Sequence, residues 1–267
     1  METELEDELG DILQKARDGK SWSQQDLARA TGISLAEIAR IENYQLTPPD
    51  AAIETLADAL DLHGPSLIAI ARGEWIPAQK TYTDPDFDLV CLRVLMGLYA
   101  VKCYLVICKE TRETAVIDTG ANPEAIIKKV GELGVQPSKI LLTHAHPDHA
   151  GGLKLLDRQF NCPTWIDPAE PRPSGSRDFR FVKGEDKIEL GKIRIRAIST
   201  PGHTPGGVSY HINKAVVSGD AIFAGSMGRA NSSWSDLFHS ITKKLLTLPD
   251  DTTLYPGHGP STTVGEV

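Results

Sequence analysis

Apolar residues in the first 72 positions recur at the spacing of one face of a helix. Leu5, Leu9, Ile12, Leu13 and Ala16 predict a first helix, and Leu27 and Ala28 a second. Ser23 stands before QQDLARA as a cap and Gly32 follows as a stop signal; Ser34 then caps LAEIARIEN. Pro48-Pro49-Asp50 opens AAIETLADALDL, and PSLIAIAR closes the bundle. The stretch GEWIPAQKTYTDPDFD (73–88) has no clear period. Beyond it, short strand-like runs (DLVCLRVLM, VKCYLVIC, TAVID, SKILL, KIRIRAI) alternate with helical ones such as PEAIIKKVGEL. The pattern predicts a small all-α bundle over 1–74, a linker over 75–85 and a strand-rich unit over 86–267.

Charge sharpens that division. Residues 1–75 carry 15 Asp/Glu against 6 Lys/Arg, a net −9, whereas the whole chain is at −8. No apolar run approaches the roughly 20 residues of a membrane helix. The acidic opening METELEDELG lacks the basic-then-apolar order of a secretion signal. Cys91, Cys103, Cys108 and Cys162 form no CxxC pair, so neither a disulfide framework nor a zinc knuckle is indicated. A cytoplasmic protein is expected.

A helix, a tight glycine-containing turn and a second helix make a helix-turn-helix. With Leu27-Ala28, Gly32-Ile33-Ser34, Ile38, Ile41-Glu42 and the proline before the fourth helix, this stretch resembles the Cro/C1 (XRE-type) family. The resemblance implies DNA binding through residues early in the second helix of the motif. Those positions read Ser34, Leu35, Ala36 and Glu37, which offer little base-reading chemistry, and a unit at −9 repels phosphates. DNA binding is therefore disfavoured. The bundle is expected instead to offer an apolar surface for self-association or for docking on the second unit.

ILLTHAHPDHAGG (140–152) gathers three histidines and an aspartate directly after an apolar run. His is the commonest metal-binding side chain. Further stations repeat the design of a ligand-type residue just after a strand, with glycine nearby: His203 in STPGHTPGG, Asp220 in VVSGDAIF and His258 in LYPGHGP. Ligand-bearing stations repeated in this way argue against coincidence. Imidazole with carboxylate suits Zn²⁺, Fe or Mn.

THAHPDHAGG, TPGHTPGG, SGDAIF and PGHGP, in this order, resemble the ligand motifs of the metallo-β-lactamase-fold hydrolases, specifically their glyoxalase II-like branch. The resemblance spans about 86–267 and implies an α+β fold, an αββα sandwich with two metals at one edge. It carries His144, His146, His203 and Asp220 to one metal and Asp148, His149, Asp220 and His258 to the other, with Asp220 bridging. Asp118, one strand earlier, is expected to orient a histidine. Two metals sharing a carboxylate can hold a bridging hydroxide, which would attack an ester or thioester carbonyl. Asp148 and Asp220 are thus the catalytic candidates.

Arg229, in FAGSMGRANSS, matches a basic position that meets the glutathione portion of substrate in glyoxalase II-like proteins. Compact relatives read Gly-Arg-Thr-Asp there, and this chain reads Gly228-Arg229-Ala230-Asn231. The sequence ends nine residues after His258, which resembles the short branch of the family. Thioester hydrolysis with two divalent ions, zinc foremost, is the expected activity. The alternatives are a mononuclear iron persulfide dioxygenase using His144, His203 and Asp220, and a transcriptional regulator whose hydrolase domain senses a metabolite.

Overall fold

The computed structural model of the protein describes residues 4–78, 82–97 and 99–267. Residues 1–3 of the acidic opening and 79–81 of the expected linker lie outside the described residues. The N-terminal region holds α1 (Leu9–Gly19), α2 (Gln24–Thr31), α3 (Leu35–Glu42), α4 (Asp50–Leu60) and α5 (Gly64–Ala71). Leu5 falls outside the first helix. The Glu8 amide donates to the Asp11 carboxylate at 3.1 Å, and this capping box starts α1 at Leu9. The Ser23 and Ser34 hydroxyls accept from the Asp26 and Glu37 amides, each at 3.2 Å, and Gly32 ends α2 at φ +73°. Leu13, Leu27, Ile38, Ile53 and Leu56 form the bundle core. The Arg17 guanidinium grips Glu42 through two bonds of 2.7 and 2.9 Å, which ties α1 to the end of α3.

The rest of the chain folds around two six-stranded sheets. The first runs β1 (Phe87–Met96), β2 (Tyr99–Cys108), β3 (Glu113–Ile117), β4 (Gln136–Leu141), β5 (Thr164–Ile166) and β6 (Phe179–Phe181), in sequence order. The second contains β7 (Lys187–Leu190), β8 (Ile193–Ser199), β9 (Val208–Ile212), β10 (Ala215–Gly219), β13 (Thr253–Pro256) and β14 (Thr262–Thr263), ordered β14-β13-β10-β9-β8-β7. A small hairpin, β11 (Ile222–Phe223) with β12 (Ser226–Met227), follows β10.

Both sheets bury one face in a shared core that includes Tyr104, Val106, Ile117, Ile195, Tyr210 and Val217. Their outer faces bury apolar side chains too, so helices must cover them. α6 (Glu124–Leu133) and α8 (Leu153–Phe160) cover the first sheet through Ile126, Val130, Leu153 and Leu156. α9 (Trp234–Ser240) and the π-helical turn Ile241–Leu245 cover the second through Leu237, Ile241 and Leu245. The result is the expected αββα sandwich preceded by an all-α bundle. None of the described helices is long and apolar enough to cross a membrane.

The bundle sits against the sandwich. The Lys15 ammonium of α1 donates to Asp7 at 2.5 Å and to the Met227 carbonyl at 2.8 Å, and Trp234 Nε1 donates to the Lys15 carbonyl at 3.1 Å. A Cβ at Gly19 would come within 2.2 Å of the Trp234 ring, so α1 and α9 meet as closely as side chains permit.

Candidate metal centre

β3 runs parallel to β4, and β8, β10 and β13 share one direction in the second sheet. Their C-terminal ends lie at one edge of the sandwich. The Val208 amide of the second sheet donates to the Thr143 carbonyl of the first at 2.9 Å, joining the two sheets there. His144 and His146 follow β4; Asp148 and His149 lie on the short helix α7 (Pro147–Ala150). His203 follows β8, Asp220 follows β10 directly, and His258 follows β13. The structure brings all seven together in two groups, His144–His146–His203 and Asp148–His149–Asp220–His258, with the ligand-type atoms of each within 4.8 Å of one another.

The hydrogen bonds around these rings fix where their lone pairs point. His203 Nδ1 faces the Arg229 carbonyl at 2.7 Å and His258 Nδ1 the Ala100 carbonyl at 2.9 Å. A carbonyl only accepts, so each Nδ1 carries the proton and each Nε2 presents a lone pair to the site. His149 Nδ1 is held in the same way by the Asp118 carboxylate at 2.8 Å. His144 Nδ1 lies 3.0 Å from the Thr143 hydroxyl, whose own proton goes to Asp118 at 2.8 Å, so this ring also donates from Nδ1. Four inward lone pairs then confront further acceptors. His144 Nε2 and His203 Nε2 both lie 3.0 Å from His146 Nδ1, and one proton cannot serve both contacts. His258 Nε2 lies 3.2 Å from Asp148 Oδ2 and 3.5 Å from Asp220 Oδ2. His149 Nε2 and Asp220 Oδ1, 3.2 Å apart, are buried without a hydrogen-bond partner.

Converging acceptors of this kind need positive charge between them. The electrostatics agree. Burial pushes the His144 and His203 imidazoles below their ordinary range, keeping them neutral. Burial also resists charge on Asp220, but the surrounding His149, His144 and His258 outweigh it and hold the carboxyl well below the usual carboxylate range. Against the same resistance, Asp220 and Asp118 pull His149 well above the usual imidazole range, and Asp148 and Asp220 pull His258 upward. The carboxylates thus demand cations, and bound metal ions would meet that demand in place of protons. The residues fit a candidate dinuclear metal site. Asp220 Oδ2 also lies 3.6 Å from His203 Nε2, so this carboxylate faces both groups.

The supporting residues are as ordered as the ligands. Asp118, expected to orient a histidine, is buried and accepts from the Thr143 amide (2.8 Å), the Thr143 hydroxyl and His149. Sequence reasoning did not single out Glu170. Its carboxylate accepts from the Ala145 and Gly206 amides, each at 2.8 Å, and so pins the His144–His146 loop to the His203 loop. Glu170 lies in the aperiodic stretch DPAEP, where nothing but the tertiary contact marks it. Gly257 is required by space: a Cβ there would lie 2.3 Å from Asp220 Oδ1 and 2.6 Å from His149 Cε1.

The motifs, the sandwich and this edge site point one way, and comparison decides the family: residues 96–258 match the metallo-beta-lactamase superfamily. The chain belongs to that superfamily. Residues 13–67 match the helix-turn-helix family. The chain is 32% identical over 194 residues to the probable metallo-hydrolase YqgX of Bacillus subtilis, covering 64% of this chain and 91% of YqgX. It is 30% identical over 184 residues to the hydroxyacylglutathione hydrolase GloC of Haemophilus influenzae, covering 60% of this chain and 87% of GloC. The structure of TTHA1623 in a di-iron-bound form superimposes with a TM-score of 0.58 at 31% identity, covering 65% of this chain and 95% of that one.

Within this metallo-beta-lactamase fold, Arg229 serves first through its backbone, since its carbonyl fixes His203. Its exposed guanidinium reaches out to Gln14 of α1 at 3.2 Å. The side chain is therefore at the seam between the bundle and the hydrolase.

Proposed function

We propose that the chain is a binuclear metal-dependent thioester hydrolase of the glyoxalase II type, acting on hydroxyacylglutathione-like substrates. The observation that carries this reading is the set of four imidazoles whose Nδ1 protons are anchored outward, while the Nε2 atoms of His149, His203 and His258 face Asp148 or Asp220 and that of His144 faces His146. His144, His146 and His203 would hold one ion and Asp148, His149 and His258 the other, with Asp220 shared. Bound divalent ions, zinc first among them, would supply Lewis acidity and make water nucleophilic at neutral pH.

The chain's own groups do the rest. Asp118 and the Arg229 and Ala100 carbonyls hold the rings in one tautomer. Asp148, whose side chain is 23% exposed against 9% for Asp220, would accept a proton from incoming water on the more open side. Arg229 is the candidate contact for an anionic thiol portion, which would have to displace its guanidinium from Gln14. Similarity to GloC supports a glutathione thioester. An iron dioxygenase using His144, His203 and Asp220 would leave Asp148, His149 and His258 without a role.

A panel of acyl-glutathione and acyl-coenzyme A thioesters, followed by thiol release, tests the proposal. Turnover of hydroxyacylglutathiones that disappears on chelation is expected. Persulfide-dependent oxygen uptake without thioester cleavage would replace it with the dioxygenase reading.

The helix-turn-helix match raises DNA binding, and we infer that the bundle does not bind DNA tightly. At the start of α3, Leu35 is 43% exposed, and the Glu37 carboxylate is held by the Ser34 amide (3.1 Å) and hydroxyl (2.6 Å). The Arg29 guanidinium is paired with Asp26. With the net −9 of residues 1–75, little positive charge remains for phosphates. The α1–α9 contacts favour docking on the hydrolase as the use of the bundle's apolar side. A fluorescence titration at physiological salt should show no sequence-specific binding at sub-micromolar protein. Binding in that range would instead favour a regulator carrying a metabolite-sensing hydrolase domain.

A further inference from the structure

Beside the seam where Gly19 meets Trp234, the bundle and the hydrolase part to leave a cavity of about 480 Å³. That lies within the roughly 300–1,000 Å³ of small-molecule sites. Ile12, Leu67 and Ile70 line it from the bundle, and Ile222, Trp234 and Ile241 from the hydrolase. The Trp75 indole, from the stretch after α5, completes the wall.

Apolar surface left facing water in a pocket of this size costs free energy that an apolar ligand covering it would recover. The walls cannot simply close on it. Their spacing is set by the α1–α9 contact and by Lys15, whose side chain, 9% exposed, is fixed between Asp7 and the Met227 carbonyl.

We infer that this cavity is a binding site for an uncharged, largely apolar small molecule, a hydrocarbon chain or ring system held between the bundle and the hydrolase. The lining gives the chemistry. Aromatic and branched aliphatic surfaces dominate, and charged side chains of the lining are paired: Lys15 with Asp7, and Glu266 with the Thr262 hydroxyl and the Thr263 amide. Lys20 bonds Asp61 at 2.6 Å, and His63 Nδ1 meets the Ser66 hydroxyl at 2.8 Å. No unmatched charge is left in these pairs to recruit an ion.

The site is separate from the metal centre yet adjacent to it. Ile222 stands two residues after Asp220, and Met227 two residues before Arg229, whose carbonyl holds His203.

Titration of the full-length protein with the uncharged fluorophore N-phenyl-1-naphthylamine, excited through tryptophan, tests the inference. Trp75 and Trp234 line the cavity and should sensitise the dye in a saturable, one-to-one manner. Ala16→Phe fills the cavity from α1 and Thr242→Phe from the hydrolase; each should weaken binding about tenfold or more. Thermal melts identify which variants remain folded, and two fillings from opposite walls guard against one that does not. Absence of saturable binding, or an affinity unchanged in a folded filled variant, would overturn the inference. So would dye binding that vanishes as protein concentration rises, since a second copy would then occupy the cavity.

Discussion

Asp220→Asn should eliminate measurable hydrolysis and strip metal from the protein. The side chain keeps its shape, so the space beside Gly257 and the packing around His149 change little. What is lost is the negative charge that three neighbouring imidazoles, His149, His144 and His258, stabilise in common. Removing one member of a buried charge cluster typically costs about 3–5 kcal/mol, which corresponds to roughly two to four orders of magnitude. Because Asp220 faces both ligand groups, metal content and turnover should fall together. His146→Ala removes a ligand-type atom from one group alone and should abolish hydrolysis with less metal loss. Near-normal turnover by Asp220→Asn, measured at saturating substrate beside elemental analysis, would contradict a shared carboxylate.

Asp118→Asn should weaken metal affinity by about 10–100-fold, the usual effect of losing a group that orients a ligand. One oxygen of Asp118 accepts from both the Thr143 hydroxyl and His149 Nδ1, and the other from the Thr143 amide. An asparagine can satisfy one side only. Its NH₂ group then opposes either the Thr143 amide or the His149 N–H, and a buried donor left unpaired costs about 1–3 kcal/mol. Where the NH₂ group faces His149, the favoured tautomer of that ring is lost as well. Chelator competition on wild type and variant measures the change, and equal affinities would show that Asp118 only closes the turn after β3.

Local rules made much of this molecule legible before its structure. The serine caps at Ser23 and Ser34, the αL glycine at Gly32 and the Pro48-Pro49 opening fix the helix-turn-helix from neighbouring residues alone. The ligand stations were equally readable, because each histidine or aspartate follows a recognisable strand. Leu5 was misplaced in the first helix because apolar spacing continues through Glu8, where the capping box starts α1. Contacts distant in sequence left less trace. Glu170 bridges two loops through backbone amides, and Arg229 holds His203 through a carbonyl, a role that any residue at that position could fill. Nor does the pattern of α1 reveal that Lys15 is buried against a hairpin 212 residues away.

The central claim is that two ions work together in hydrolysis. Demetallated protein titrated with zinc, with bound metal and thioester turnover followed in parallel, tests it most directly. Seven ligand-type side chains exceed what one tetrahedral ion can use. Two ions per chain should therefore bind, and activity should reach its plateau only at the second equivalent. Full activity at one equivalent, or no more than one bound ion after complete reconstitution, would contradict the account.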